Sequence, residues 1–298
     1  MKQVTLEELL EAGCHFGHQV TRQNPKARDY IFEARDGINI INLEKTKEGL
    51  DEAVAFVKAL ASKEATSLIV LGAKRQATDI VKEEVTRAQK EGAYGLFYVT
   101  NRWIGGILTN LSEITKNFKR LNYLSARLQD PEEKAKYTKK EISLWEKERQ
   151  KLDQFYSGIA DMQKIPDALF IIDTHLENLA VREAIATHVK TVGITDTNAD
   201  PTLIDYAIPA NDDAVGSIKL ITSVIVDAWI EGRKKGKEMK ETQETKGVKE
   251  TEEPKGSEVK QEEPKGKKPR KTAAKKAVKT AKEKIEETKE TPEKVSVE

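Results

Sequence analysis

The stretch SLIVLGAKR, residues 67–75, decides how the rest of the chain is read. SLIVLG is apolar at successive positions, with no alternation of polar and apolar side chains. A strand of that kind is covered on both faces, as in a parallel sheet. A helical pattern follows from Lys74 to Lys90, then another apolar run, GLFYV (95–99). The same sequence of events recurs downstream. DALFIID (167–173) precedes the helical ENLAVREAIATHV (177–189). KTVGITD (190–196) and a short YAIPA (206–210) lead into a long helix from about Asp212 to Gly232. Buried strands alternating with amphipathic helices predict an α/β fold, with a parallel sheet covered on both sides. Upstream, YIFEARDGINIINL (30–43) predicts a hairpin turning at Asp36-Gly37, and a helix runs from about Thr46 to Ala61.

Residues 100–166 interrupt this alternation, because they contain no strand signal. Leu111, Ile114, Phe118, Leu121, Leu124 and Leu128 make one apolar helical stripe. Asp130 and Pro131 mark a new helix start, and Thr138 with Glu141 a capping box. The return helix carries Ile142, Trp145, Leu152, Phe155 and Ile159. Two antiparallel helices with facing stripes predict a coiled-coil hairpin inserted at 107–158, between α/β segments 1–106 and 159–232. Lys116, Lys119, Arg120, Arg127, Lys136, Lys139 and Lys140 fall on its polar faces. NRWIGGILTN (101–110) is the hinge, where Gly105 and Gly106 permit an unusual backbone and Trp103 anchors the hairpin base.

From Arg233 onward the chain has no aromatic, Leu or Asp, and EEPKG occurs twice, at 252–256 and 262–266. Such a composition buries too little apolar surface to offset its ordering entropy, so 233–298 is expected to be a disordered tail. The formal charge of +1 conceals a split, the tail being basic and the body acidic. A uniformly basic nucleic-acid-coated fold is excluded, and RNA binding by the body must use local patches. The segment 268–284, with eight basic residues and one Glu, either solubilises the chain or binds phosphates loosely.

One cysteine, Cys14, rules out an intrachain disulfide. No signal-like N-terminus and no membrane-length apolar run are present, which predicts a soluble, cytoplasmic chain without membrane contact.

Sheet carboxyl ends are where open α/β folds bind ligands. Here they are GAKR (72–75), TNRW (100–103), DTH (173–175) and DTN (196–198). An enzyme would face Asp173 and Asp196 with Lys74 and Arg102, but no phosphate-loop glycine motif or nucleophile triad accompanies them. Caps and tight turns are the favoured reading. Lys74 and Arg75 at a helix N-terminus would suit a phosphate, or form a solvated turn. DTNADP (196–201) opens like a calcium loop but places Pro201 where that loop needs glycine. Cys14, His15 and His18 are too few for a closed zinc site, and no metal or cofactor is expected.

Taken together, AGCHFGH (12–18), NPKARDYIFEARDGINIINLEKT (24–46), GAKRQA (72–77), NRWIGGILTN (101–110), PDALFIID (166–173), DTNADPTLIDYAIPANDDA (196–214) and SIKL (217–220) resemble the small-subunit ribosomal protein family S-two, of bacterial type. The resemblance extends to about residue 232. It departs at Cys14, Gln163-Lys164, Ala199 and Ala210, where the family usually has other residues. It implies a flavodoxin- or Rossmann-like domain with an inserted helical hairpin and no catalytic activity. It also implies contacts with ribosomal RNA and with neighbouring proteins, including the OB-fold protein S-one. Candidate RNA contacts are Arg22, Lys26, Arg28, Lys74, Arg75, Arg102, Lys116, Lys119 and Arg120. The alternatives are an enzyme acting on a phosphorylated substrate and a free RNA-binding regulator.

Overall fold

A computed structural model describes residues 4–249, with side chains to residue 238. In chain order the elements are α1 (Leu6–Glu11), β1 (Phe16–Gln19), β2 (Ile31–Arg35), β3 (Ile38–Ile41), α2 (Leu43–Ala61), β4 (Leu68–Leu71), α3 (Arg75–Lys90) and β5 (Leu96–Val99). They continue with α4 (Leu111–Gln129), α5 (Pro131–Ala135), α6 (Lys139–Tyr156), β6 (Ala168–Ile171), α7 (Asn178–Thr187), β7 (Lys190–Thr195), β8 (Tyr206–Pro209) and α8 (Val215–Lys249).

Five strands form one parallel sheet in the order β5-β4-β6-β7-β8. That is the flavodoxin-like order, with its reversal between β4 and β6. Alternate residues of each central strand enter opposite layers. Leu68, Val70, Ala168 and Phe170 pack with α2, α3 and α8, through Leu50, Val57, Val81, Val85, Ile221 and Trp229. Ile69, Leu71, Leu169 and Ile171 face the other way, against Trp103, Phe118, Tyr156, Val181 and Ala184. Both layers are apolar, which is why the strands are apolar at every position rather than at every second one.

The predicted hairpin is β2–β3, paired antiparallel with Arg35 opposite Ile38. Asp36 and Gly37 both have positive φ, 51° and 78°, as a tight two-residue connection between twisted strands requires. β1 adds to β3 and completes a second, three-stranded sheet.

Asp130 caps α5 by accepting from the amides of Glu132 and Glu133, and the Thr138–Glu141 capping box forms. α4 and α6 lie antiparallel, tied by Arg120–Glu148 and by Asn117 donating to Tyr156 Oη at 3.1 Å. The facing stripes expected of a coiled coil are unequal. Five α4 residues of the stripe are buried, but within α6 only Tyr156 is, and Leu144 is exposed. What the contacts establish is a helix pair.

The base of this pair belongs to the second core: Ile107, Leu108, Ile114, Phe118, Leu121 and Tyr156 all pack there. A part shorter than 107–158 is therefore expected to be separable. Replacing residues 122–146 with a short Gly/Ser linker is expected to leave one cooperative melt. Replacing 107–158 is expected to abolish it, because the layer over Ile69 and Leu169 loses its cover. Thermal unfolding followed by circular dichroism compares the two.

The helix expected to stop near Gly232 continues to Lys249. Arg233, read from composition as the first tail residue, is buried. Its guanidinium donates to the carbonyls of Tyr94 (3.1 Å), Lys63 (2.8 Å) and Thr66, and it lies over the rings of Tyr94 and Trp229. From residue 250 on, the expected disordered tail lies outside the described residues.

Candidate functional site

In a sheet of this order, ligands bind beyond the strand carboxyl ends, at the reversal. Lys74 follows β4 and Asp173 follows β6, so both stand at that point. Lys74 Nζ lies 2.8 Å from Asp173, 2.7 Å from Asp212 and 2.8 Å from Asp213. Asp173 and Asp212 are buried; Asp213 is half-exposed. Burial acts to lower the Lys74 pKa, but Asp212, Asp173 and Asp213 outweigh it and hold the ammonium above its ordinary range.

The neighbouring strand end extends the cluster. Asp196, just past β7, accepts from the His18 amide at 3.2 Å, and its other oxygen lies 3.1 Å from His18 Nδ1. His18 Nε2 lies 3.5 Å from Asp213. The hydrogen bond to Asp196 raises the His18 pKa; burial opposes this, and the charges of Asp196, Asp212 and Asp213 add to it. Burial, followed by repulsion from Asp173 and Asp196, pushes Asp212 up to about 7. Asp212 Oδ2 is buried and makes no hydrogen bond.

The structure thus places Asp173 against Lys74, but Asp196 against His18 rather than against Arg102. Lys74 is held by three carboxylates, and a crevice floored with aspartates is a poor place for a phosphate. Asp212 and Asp213 were legible only as part of a matched motif. No local pattern ties them to a lysine 138 positions away.

The second feature is the NRWIGGILTN loop. Glu183, on the buried face of α7, accepts hydrogen bonds from Trp103 Nε1 (3.3 Å), Gly106 N (2.8 Å), Leu108 N (3.1 Å) and Thr109 N (3.4 Å). One carboxylate therefore collects the donors of a whole turn. Of the two glycines, Gly106 has φ of 100°, a backbone that a side chain would strain, and Gly105 does not. Sequence reasoning missed Glu183. The available signal was an acidic residue among Ala180, Val181 and Ala184, inside the buried stripe of its helix.

Next to the loop, Glu177 is buried, and that burial together with the charge of Asp173 pushes it up to about 7, with Arg102 pulling the other way. A carboxyl whose folded pKa exceeds its unfolded value of 4.5 stabilises the fold while protonated. The contribution is complete below pH 4.5 and is lost as pH climbs through 7. Glu177→Gln is expected to raise stability at pH 8 by roughly 1–3 kcal/mol and leave it nearly unchanged at about pH 5. Urea melts at the two pH values test this.

The other basic candidates divide into two groups. Lys26 pairs with Asp200 at 2.6 Å, Lys116 with Glu113 at 2.7 Å, and Arg120 with Glu148 at 2.8 Å. Arg22, Arg28, Arg75, Arg102 and Lys119 are exposed and form no ion pair among the described residues. Arg75 and Arg102 follow the ends of β4 and β5. Arg22 and Arg28 lie on the segment that crosses the end of β7, where the Asn24 amide donates to the Thr197 carbonyl at 2.8 Å. Exposed arginines with no ion pair among the described residues thus follow the ends of β4 and β5 and lie on the segment that crosses the end of β7. No described helix is long and apolar enough to cross a membrane.

Among known protein families, a family model described as ribosomal protein S2 matches residues 9–232, ending at Gly232, just before Arg233.

Proposed function

From the chain's membership of the ribosomal protein S2 family, structural proteins of the small ribosomal subunit that act in translation, we propose that it docks on ribosomal RNA through the arginine rim of its sheet. The observation that carries this is the contrast between rim and floor. Arg22, Arg28, Arg75 and Arg102 are exposed and unpaired around strand ends whose buried charges are neutralised or repulsive to phosphate. An acidic body can bind RNA only through such patches. Lys119, likewise unpaired, extends the surface onto α4. Lys26, Lys116 and Arg120 already pair with carboxylates, so their contribution is smaller.

The family is one of structural proteins, not enzymes. The phosphorylated-substrate reading is further disfavoured by the aspartates that occupy the ligand position of the fold. Placement in the cytoplasm goes with assembly into the ribosome. A protein neighbour, of which the OB-fold protein S-one is the one the resemblance implies, would find exposed apolar side chains at Leu176, Leu179 and Ile185.

Arg102 offers the clearest test. It is exposed, and Asp173 pairs with Lys74 rather than with it. Arg102→Ala is expected to reduce incorporation of tagged protein into small subunits on sucrose gradients, with the free protein's Tm changed by no more than about 2 °C. Each lost phosphate contact should also flatten the salt dependence of RNA binding by a log–log slope of about 0.7–0.9. Undiminished incorporation together with a collapsed Tm would make Arg102 a scaffold residue. Failure of the wild-type chain to co-migrate with small subunits would remove the docking reading altogether, in favour of a free RNA-binding regulator.

A further inference from the structure

The strand-end cluster carries an uncompensated charge. Asp173, Asp196 and Asp212 are buried, Asp213 closes the rim, and opposite them stand only Lys74 and His18 among the described residues. Lys74 satisfies Asp173, one oxygen of Asp212 and one of Asp213. It reaches neither Asp196 nor the second oxygen of Asp212. Asp196 spends Oδ1 on the amide of His18 and on Thr197, while Oδ2 lies beside the imidazole and accepts from the Asp212 amide at 3.5 Å. Asp212 Oδ2, on a side chain with no solvent exposure, makes no hydrogen bond. An orphaned carboxylate oxygen at that depth is costly unless something cationic meets it.

The remaining groups converge. One ligand atom each from His18, Asp196 and Asp212 can be chosen so that all three lie within 4.8 Å of one another. His18 presents Nδ1 to Asp196 and turns Nε2 toward Asp213. Without an ion, Nδ1 hydrogen-bonds Asp196; with one bound there, Asp213 would take the Nε2–H and leave the Nδ1 lone pair to the metal. That is the arrangement by which outer carboxylates orient metal-bound histidines.

We propose that His18, Asp196 and Asp212 bind one divalent first-row transition ion of the Zn2+ type, with Asp213 orienting the imidazole. Imidazole nitrogen with two carboxylate oxygens is a borderline donor set suited to Zn2+, and a fourth position is left for water. The ion cancels the excess negative charge and takes up the orphaned oxygen. It also ties β1 to the ends of β7 and β8, fixing the N-terminal segment that carries Arg22 and Arg28. The site differs from the Cys14, His15 and His18 group considered from sequence: Cys14 is buried in the first core. It does not depend on the ribosomal reading, because it concerns the free chain.

The test uses the purified full chain, stripped with a chelator and titrated with Zn2+ by competition calorimetry and thermal melting at neutral pH. The expected result is one equivalent per chain and a raised Tm. Asp213→Asn should bind about 10–100-fold more weakly. His18→Gln should lose the site, while His175→Gln, at an exposed histidine outside the cluster, should bind like wild type. Binding of less than one equivalent by wild type, or binding by His18→Gln within twofold of wild type, overturns the proposal. If His18→Gln does not fold, Asp213→Asn decides at its half-exposed position, and unchanged affinity there overturns it. A chain whose Tm responds to pH but not to Zn2+ holds a proton at this place and no metal, which also overturns it.

Discussion

Replacing Glu183 with alanine is expected to cost the fold about 3–5 kcal/mol. The carboxylate sits inside the second core, where Trp103 Nε1 and the amides of Gly106, Leu108 and Thr109 converge on its two oxygens. Alanine removes every acceptor at once, and water cannot replace them at a position 7% exposed. A single orphaned buried donor costs about 1–3 kcal/mol, and here at least two, Trp103 Nε1 and Leu108 N, are fully enclosed. At about 2–4 °C per kcal/mol for a domain of this size, Tm should fall by roughly 10 °C. Glu183→Gln keeps one oxygen acceptor and should lose about half as much. Trp103 fluorescence should shift to the red as its ring loses its seat, and an unshifted spectrum with an unchanged Tm would refute the role. The prediction separates loop shape from helix propensity, since alanine is the better helix former in α7.

Lys74→Met should be as damaging by the opposite route. Methionine matches the length of the lysine stem but leaves Asp173 and Asp212 buried without their cation. Removing one partner of a buried ion pair costs about 3–5 kcal/mol, because the survivor keeps its desolvation penalty. Lys74→Arg should recover part of the loss, limited by the fit of a planar guanidinium among three carboxylates placed for an ammonium. Chemical denaturation of the three proteins at neutral pH gives the ranking. Equal stability of Lys74→Met and wild type would show that the aspartates do not need the lysine.

Much of the architecture was legible because its cause is local. A strand covered on both faces must be apolar at every position, so SLIVLG and DALFIID announce themselves without reference to any partner. The Asp36-Gly37 turn, the Asp130 cap and the Thr138–Glu141 box are set by neighbouring backbone geometry. The site was legible only in outline. Asp173, Asp196 and Lys74 could each be placed at a strand end, but their pairing, and that of His18 with Asp196, is decided across sheet order, which no local pattern encodes. Glu183 meets a loop about 75 residues earlier in the chain. Arg233 was misplaced for a related reason: its sequence neighbours are those of a solvated tail, while its actual partners are the carbonyls of Lys63, Thr66 and Tyr94. The unequal hairpin was missed because periodicity records where a stripe lies, not whether anything covers it.

The contact between α2 and α8 has a consequence for the order of synthesis. Leu50 and Val57 of α2 lie in the same core as Ile221, Ile225 and Trp229 of α8, and Lys58 pairs with Glu231. The ribosome makes α2 early and α8 roughly 150 residues later, an interval of about 10–30 s at ordinary elongation rates. Throughout that time the apolar stripe of α2 has no α8 to rest on. The nascent chain therefore completes this layer only when α8 has emerged and Arg233 has reached the carbonyls of Lys63, Thr66 and Tyr94.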